Sequence, residues 1–204
     1  MTSHLTTTDG LRLDALWDAP DEPSAAIVFC HPHPLHGGSM RAPLVVKATA
    51  RLVELGFGVL RFDFRGVGGS EGRHDHGVGE RLDIDAAWSE LAERAPGLRR
   101  GIVGWSFGAA TSLNWVVDRA IDTPWVGIAP PVTSDRTPDL PTGDTGRGRK
   151  AIVVGDRDQF VSPTELAAYA ATVGAELHVM PGSDHFFYFR EQRLADLVAD
   201  GLRP

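Results

Sequence analysis

The chain has 204 residues, of which 42% are hydrophobic and 23% are charged, and this is enough to bury one substantial core. We therefore expect a single domain over residues 1–204, without a separate cap. The formal net charge of −7 gives no general attraction to phosphate backbones or to anionic membrane surfaces, so neither nucleic acid nor membrane lipid is expected as a partner.

Short runs rich in Val, Ile and Phe alternate with longer stretches of helical periodicity, which is the pattern of a mostly parallel sheet flanked by helices. Seven strands are predicted, at residues 11–17, 25–30, 58–62, 101–105, 125–129, 151–154 and 177–180. Five helices are predicted, at residues 42–55, 80–94, 107–118, 163–173 and 190–202. Residues 130–150 are rich in Pro, Gly, Asp and Thr, which indicates an irregular surface loop rather than a helical lid.

A candidate nucleophile lies in Gly104-Trp105-Ser106-Phe107-Gly108, which fits G-x-S-x-G and falls between a predicted strand and a predicted helix. A sharp turn there holds the serine in a strained conformation, and side chains at the two glycine positions would collide with the neighbouring strand and helix. The helix N-terminus favours negative charge on a carbonyl oxygen under attack, so the Phe107 N–H is an expected oxyanion donor. The simpler alternative is that Ser106 only caps a helix.

A serine nucleophile requires a base and an acid, in the chain order Ser, then Asp or Glu, then His. His185 follows the last predicted strand and is the candidate base. Asp156 and Asp158 both follow the strand at 151–154, and both qualify chemically as the acid. The alternative for His185 is a loop histidine that packs beside the aromatic residues at 186–189.

Five other histidines lie in two short segments, HPHPLH at 31–36 and HDH at 74–76. The acids and cysteines that would complete a closed zinc site are not evident, so no metal is predicted. The turn at 31–38 instead suits the lining of an active site, where a backbone N–H completes an oxyanion hole. Because Pro32 and Pro34 have no N–H, His33 is the candidate donor.

Three further features have structural interpretations. Cys30 ends a predicted buried strand and is expected to pack as a small apolar residue, and a lone cysteine forms no intramolecular disulfide. Residues 63–70 lack the lysine of a phosphate-binding loop, so we interpret them as a glycine-rich turn with Arg65 as an ion-pair donor. Residues 1–18 show neither a signal nor a spanning segment, and a cytoplasmic protein is therefore the expectation.

The sequence resembles the small α/β-hydrolases that carry an HPHPxxGG(S/T)M segment, here residues 31–40. Five motifs recur in the expected order from about residue 25 to the C-terminus: HPHPLHGGSM, RFDFRGVGGS, GWSFG, VVGDRDQFVSP and GSDHFF. The resemblance implies an α/β-hydrolase fold without a large cap, and acyl-transfer chemistry. In similar hydrolases the acid is the last residue of G-x-x-D, which maps onto Asp158 rather than Asp156.

The resemblance further implies that the His33 N–H pairs with the Phe107 N–H in the oxyanion hole, although Pro32 replaces the glycine that many α/β-hydrolases carry at that position. The expected reaction is hydrolysis of a small-molecule ester or thioester through Ser106, His185 and Asp158, without a cofactor. Four apolar side chains are expected to line an open pocket, namely Leu35, Trp105, Phe186 and Phe187. The alternatives are amide or peptide hydrolysis by the same triad, and a non-catalytic binding protein that retains the fold. The sequence does not predict the oligomeric state, and a homodimer is suggested by base rates alone.

Overall fold

The computed structural model describes residues 2–132 and 134–203. Within these residues the chain forms eight β-strands, five α-helices and one short 3-10 helix at Pro34–His36. The strands are β1 (Thr2–Thr6), β2 (Arg12–Asp18), β3 (Ala25–Cys30), β4 (Phe57–Phe62), β5 (Arg99–Trp105), β6 (Trp125–Ile128), β7 (Lys150–Gly155) and β8 (Glu176–Met180). The helices are α1 (Pro43–Glu54), α2 (Glu80–Arg94), α3 (Phe107–Asp118), α4 (Pro163–Val173) and α5 (Glu191–Leu202).

The eight strands form one sheet in the order β1-β2-β4-β3-β5-β6-β7-β8. In this order, β1 pairs antiparallel with β2, and β2 pairs antiparallel with β4. The other neighbouring strands, from β4 and β3 through to β8, are all parallel to each other. The mostly parallel sheet is thus as predicted, with one strand more than the seven expected. The additional strand is β1, whose sequence TSHLT has a single large apolar residue and hence no hydrophobic alternation to reveal it.

The helices cover both faces of the sheet, because successive strand residues point to opposite sides. In β3, Val28 faces the core formed with α2, α3 and α4, whereas Ile27 and Phe29 face the core formed with α1 and α5. Helices α1 and α4 begin with Pro43 and Pro163, as expected for proline in the first turn. Each core is a continuous apolar layer, and the two layers fix the sheet from both sides.

The strand order places several loops at one edge of the sheet. Successive strands lie on opposite sides of β3, since β4 pairs with one edge of β3 and β5 with the other. A crevice forms at the carboxyl ends of parallel strands where the order reverses in this way. The segments after β3, β5, β7 and β8 carry His33, Ser106, Asp158 and His185 respectively, so all of them emerge at this edge.

The segment between β6 and β7 is irregular, as predicted, and its described parts, 129–132 and 134–149, contain no helix. It is anchored to the helices, since the Tyr169 hydroxyl donates to the Pro141 carbonyl at 2.7 Å and the Asn114 side-chain amide donates to the Asp139 carbonyl at 2.8 Å. Across residues 2–132 and 134–203, none of the helices has the length and apolar character needed to cross a membrane.

Candidate active site

Ser106 lies at the turn from β5 into α3 with φ 54° and ψ −115°. Positive φ is unfavourable for a residue with a Cβ atom, so the conformation is strained. It is held by three backbone hydrogen bonds. The Ser106 N–H donates to the Ile128 carbonyl at 2.8 Å, and the Ser106 carbonyl accepts from the Ala109 and Ala110 N–H groups at 2.9 and 3.1 Å. Between residues 101 and 110, Ser106 is the only one that is not buried. The turn therefore presents the serine to the crevice.

The two glycines of the motif permit close contacts that no side chain would allow. A Cβ atom on Gly104 would lie 2.4 Å from the carbonyl carbon of Gly108 in the following helix. A Cβ atom on Gly108 would lie 2.4 Å from the carbonyl oxygens of Cys30 and His31, at the end of β3. Both positions thus require glycine, for the steric reason expected from the sequence.

His185 and Asp158 form a hydrogen-bonded pair. The His185 Nδ1 lies 2.8 Å from the Asp158 Oδ2, and the two side chains are 7% and 0% exposed. The other carboxylate oxygen, Oδ1, accepts from the Phe160 and Val161 N–H groups, each at 2.9 Å. Since a carboxylate only accepts, it places the histidine proton on Nδ1 and leaves the Nε2 lone pair free to accept a proton.

Asp156, the other candidate acid, lies apart from this pair. Its side chain is exposed and its Oδ1 accepts from the Gly182 N–H at 2.7 Å, so it links the two loops that follow β7 and β8. The structure brings Asp158, and not Asp156, into contact with His185.

The serine turn and the histidine–aspartate pair meet through Trp105. The ring of Trp105, the residue before Ser106, has its centroid 6.0 Å from that of His185. Trp105 is mostly buried, and its indole N–H has no hydrogen-bond partner among the residues that the structure describes. The residue before Ser106 is therefore in contact with His185 at this edge of the sheet.

The loop after β3 lies on the opposite side of Ser106, with the His33 and Phe107 ring centroids 5.1 Å apart. The His33 Nδ1 accepts from the Leu35 N–H at 3.2 Å, so Nε2 carries the proton and donates to the Arg136 carbonyl at 2.9 Å. Burial lowers the pKa of His33, which favours this neutral form. The Phe107 N–H belongs to the first turn of α3, where N–H groups have no acceptor within the helix.

The same loop is fixed to the end of β4 by His31, which is fully buried. Its Nε2 accepts from the Phe64 N–H at 3.0 Å, and its Nδ1–H donates to the Pro32 carbonyl at 2.6 Å. Burial lowers the pKa of His31 to about 4, so the ring is neutral at pH 7. The Asp63 carboxylate adds a second anchor by accepting from the Met40 N–H at 2.6 Å.

A buried histidine–glutamate pair, which is not predicted from the sequence, supports this region. The His74 Nδ1 lies 2.7 Å from the Glu80 Oε1, with both side chains at least nine-tenths buried. The His74 ring lies 4.9 Å from His33 and 5.3 Å from Phe107, measured between centroids. The signal available in the sequence was a histidine six residues before a glutamate that begins a predicted helix, which is too common to interpret alone.

Four of the five histidines at 31–36 and 74–76 pack against one another. The rings of His36, His33, His74 and His76 pack in that order at centroid distances of 4.6–4.9 Å. Residues 2–132 and 134–203 nevertheless contain no group of three or more His, Cys, Asp or Glu side chains with the arrangement of a metal site.

Arg65 and Cys30 have the structural roles predicted for them. The Arg65 guanidinium donates to the buried Asp83 carboxylate at 2.8 Å and to Asp9 at 3.0 Å, which joins the loop after β4 to α2 and to the β1–β2 turn. Cys30 is fully buried, and burial raises the pKa of its thiol, which disfavours the reactive thiolate.

The four residues predicted to line the pocket differ in how far they are exposed to solvent. Leu35 is 68% exposed beside the His33 loop, and the Phe186 ring, which is partly buried, lies 5.7 Å from the His185 ring. Phe187 and Trp105 are 0% and 5% exposed in the core with α1 and α5, so the expectation that they line an open pocket is corrected. The two neighbours of Phe187 differ from it, since Phe186 is partly buried and Tyr188 is exposed. The ring centroid of Phe160, which is not among the predicted pocket residues, lies 5.0 Å from that of His185.

The chain is similar to several known proteins. A family model described as "Serine aminopeptidase, S33" matches residues 21–141. The Rickettsia prowazekii protein RP471 is 32% identical over 200 residues, which cover 94% of this chain and 84% of the relative. An α-β serine hydrolase homologue from Coxiella burnetii is 32% identical with a TM-score of 0.86, and the match covers 100% of this chain and 97% of that chain. A Xanthomonas campestris α/β serine hydrolase without a lid is 30% identical with a TM-score of 0.83, covering 100% and 93%.

These similarities span almost the whole chain, and they agree with the order of the strands and the absence of a cap domain in the described residues. The predicted fold class is therefore confirmed. The chain belongs to the serine aminopeptidase S33 family of serine hydrolases with an α/β-hydrolase fold.

Proposed function

We propose that the protein hydrolyses a carboxylic ester or thioester of a small molecule, with Ser106 as nucleophile, His185 as general base and Asp158 as the orienting acid. The observation that carries this proposal is the buried 2.8 Å contact between the His185 Nδ1 and the Asp158 Oδ2, beside a strained serine turn. A histidine oriented in this way accepts the proton that a serine hydroxyl must lose before it attacks a carbonyl carbon.

In the first half of the reaction, the Ser106 Oγ attacks the carbonyl carbon and its proton passes to the His185 Nε2. The carbonyl oxygen becomes negatively charged and accepts hydrogen bonds from the Phe107 and His33 N–H groups, assisted by the positive end of α3. The bond to the leaving group then breaks, and His185 gives its proton to the departing alcohol or thiol.

In the second half, water attacks the acyl group on Ser106. His185 accepts a proton from that water and returns it to the Ser106 Oγ as the acid product leaves. Asp158 keeps the imidazole in the required tautomer and stabilises the imidazolium in both halves. The segment between β6 and β7 forms no cap in its described parts, so the site accepts substrates from an open surface.

The second candidate is hydrolysis of an amide or peptide, which the family description favours because it names a serine aminopeptidase. The same triad serves both reactions, and the difference lies in the leaving group and the pocket. Matched ester, thioester and amide substrates with one acyl group, assayed under one set of conditions, distinguish the two. A higher kcat/KM for the amide than for the ester would favour the second candidate.

Substitution of Asp158 provides the sharpest test of the proposed triad, because Asp156 offers a matched control. We expect Asp158→Asn to lower kcat for a short-chain ester by about 10³–10⁴-fold, since an amide no longer fixes the imidazole tautomer. Asp156→Asn changes the same side chain two residues away, outside the contact with His185, and is expected to keep kcat within about threefold. Equal losses in the two variants would contradict the assignment of Asp158, and a folded wild type without any activity would favour a binding protein that retains the fold.

A further inference from the structure

Two exposed aromatic side chains, Phe160 and Tyr188, and the partly buried Phe186 lie next to His185, and we refer to these three residues as the aromatic platform. The Phe160 ring lies edge-on to His185 at a centroid distance of 5.0 Å and perpendicular to Phe186 at 6.2 Å. Tyr188 stacks on Phe186 at 5.6 Å. Phe160 and Tyr188 are 67% and 58% exposed, respectively. Contiguous exposed apolar surface of this kind is typical of a binding site.

Backbone hydrogen bonds connect the platform to the loops that carry Asp158 and His185. The Phe160 N–H donates to the Asp158 Oδ1, so the backbone of Phe160 is held by the carboxylate that also binds His185. The Phe186 N–H donates to the Asp184 Oδ1 at 3.0 Å, within the loop that carries His185. The backbone segments that carry the Phe160 and Phe186 rings are therefore held beside His185 by these hydrogen bonds.

We propose that the aromatic platform binds the leaving group of the substrate, and that it selects alcohols or thiols that carry an aromatic ring or an extended apolar chain. This inference rests on the proposed function. His185 has one free ring nitrogen, Nε2, and must give its proton to the leaving-group oxygen or sulfur. The substituent on that atom then extends from His185 onto the surface beside it, which is the platform.

The acyl part of the substrate lies elsewhere, because the predicted oxyanion donors are on the other side of Ser106. The His33 ring packs on Phe107 at 5.1 Å, whereas the platform packs on His185. Trp105 also contacts His185, but it is mostly buried and offers little surface to a substrate. The platform thus discriminates among leaving groups and not among acyl groups.

The test compares kcat/KM for acetate esters of ethanol, 1-butanol, benzyl alcohol and 2-naphthylmethanol, which share one acyl group and have leaving groups of similar acidity. For the wild type, the benzyl and naphthylmethyl esters are expected to exceed the ethyl ester by about tenfold or more. Phe160→Ala should lower the benzyl-to-ethyl ratio by about threefold to tenfold, the equivalent of one aromatic contact. Ethyl esters of acetic, butyric and hexanoic acids form the second series, in which Phe160→Ala should leave the ratios unchanged.

Phe189→Ala is the matched control. Phe189 is 93% exposed and lies one residue beyond Tyr188, and it takes part in none of the ring contacts found among the described residues. The Phe189→Ala variant should retain the wild-type ratio of kcat/KM for benzyl acetate to that for ethyl acetate. A ratio near one in the wild type, an unchanged ratio in Phe160→Ala, or an equal loss in Phe189→Ala would overturn the inference.

The failure of the proposed function is distinguishable from the failure of this inference. A wild type that hydrolyses ethyl acetate in a Ser106-dependent manner but shows no preference among leaving groups retains the proposed function and has no leaving-group site. A folded wild type that hydrolyses none of the esters contradicts both.

Discussion

At the scale of single residues, Ser106 holds a backbone conformation that glycine adopts far more readily. Its φ of 54° with ψ of −115° corresponds to a strain of about 1–3 kcal/mol for a residue with a Cβ atom. The hydrogen bonds to Ile128 and Ala109 maintain it. Strain at a partly buried position between buried neighbours is expected where function, and not stability, determines the residue.

Two substitutions of Ser106 that both remove its hydroxyl should reveal how much the backbone strain alone lowers the free energy of unfolding. Ser106→Ala keeps the Cβ atom and the strain, whereas Ser106→Gly removes both. We expect the glycine variant to have a free energy of unfolding about 1 kcal/mol higher than the alanine variant, because the relief of strain exceeds the entropic cost of glycine. Urea unfolding of the two variants measures the difference.

The control pair is Ser89→Gly and Ser89→Ala, at an exposed position within α2. There glycine should be the less stable variant by about 1 kcal/mol, as is usual in a helix. If Ser106→Gly were also less stable than Ser106→Ala, the strain at Ser106 would have no energetic significance.

At the scale of secondary-structure elements, the position of α3 against β3 determines where the nucleophile lies. Gly108 lets the first turn of α3 approach the carbonyl oxygens of Cys30 and His31, which also begin the loop that carries His33. One close contact therefore sets the distance between the two predicted oxyanion donors, the N–H groups of Phe107 and His33.

Gly108→Ala should disrupt this arrangement. Its Cβ atom would lie 2.4 Å from two backbone carbonyl oxygens, which cannot rotate away as a side chain does. We expect a loss of about 2–3 kcal/mol in the free energy of unfolding together with a loss of esterase activity. Thermal unfolding and hydrolysis of a short-chain ester measure the two effects.

Gly174→Ala provides the comparison. Gly174 has φ 65° at the end of α4 and no atom within 4 Å of a Cβ placed there, so the expected cost is about 1 kcal/mol with unchanged activity. Equal effects at positions 108 and 174 would contradict the close approach of α3 to β3 as the reason for Gly108.

At the scale of the whole molecule, stability depends on buried titratable groups that link the loops at one edge of the sheet. Burial lowers the pKa of His31 to about 4, below the ordinary value of about 6.5. The unfolded chain therefore binds a proton at this residue before the folded protein does. The contribution of neutral His31 to the free energy of unfolding is complete above pH ~6.5 and is lost as the pH falls toward 4. Burial has the opposite effect at Asp83, whose pKa it raises to about 6 despite the Arg65 ion pair.

Because these two groups oppose each other, the test compares the wild type with His31→Asn, which retains a donor and an acceptor but does not titrate. Between pH 7 and pH 5 the stability of the wild type relative to the variant should fall by about 2 kcal/mol, and the contribution of Asp83 cancels in the difference. Urea unfolding of both proteins at the two pH values provides the measurement. A difference that does not change with pH would contradict the burial of a neutral His31.

Much of the fold and of the candidate site can be predicted from the sequence. The helices are predictable because apolar periodicity and prolines at 43 and 163 define them, whereas β1 is not, because its strand sequence is polar. Phe187 looks like its aromatic neighbours in the sequence, and only its tertiary packing in the core with α1 and α5 distinguishes it from them. Phe160 and the His74–Glu80 pair depend on tertiary contacts with His185 and Phe107, which no local pattern encodes.

The central claim is that Ser106 is a nucleophile activated by His185, and covalent labelling by a fluorophosphonate tests it most directly. In this reaction the serine oxygen bonds to phosphorus and fluoride leaves, so intact-protein mass spectrometry detects one adduct per chain. We predict a single adduct on the wild type, none on Ser106→Ala, and labelling slowed by at least about 10³-fold in His185→Ala. Unlabelled wild type that remains folded, or equal labelling of wild type and Ser106→Ala, would contradict the claim.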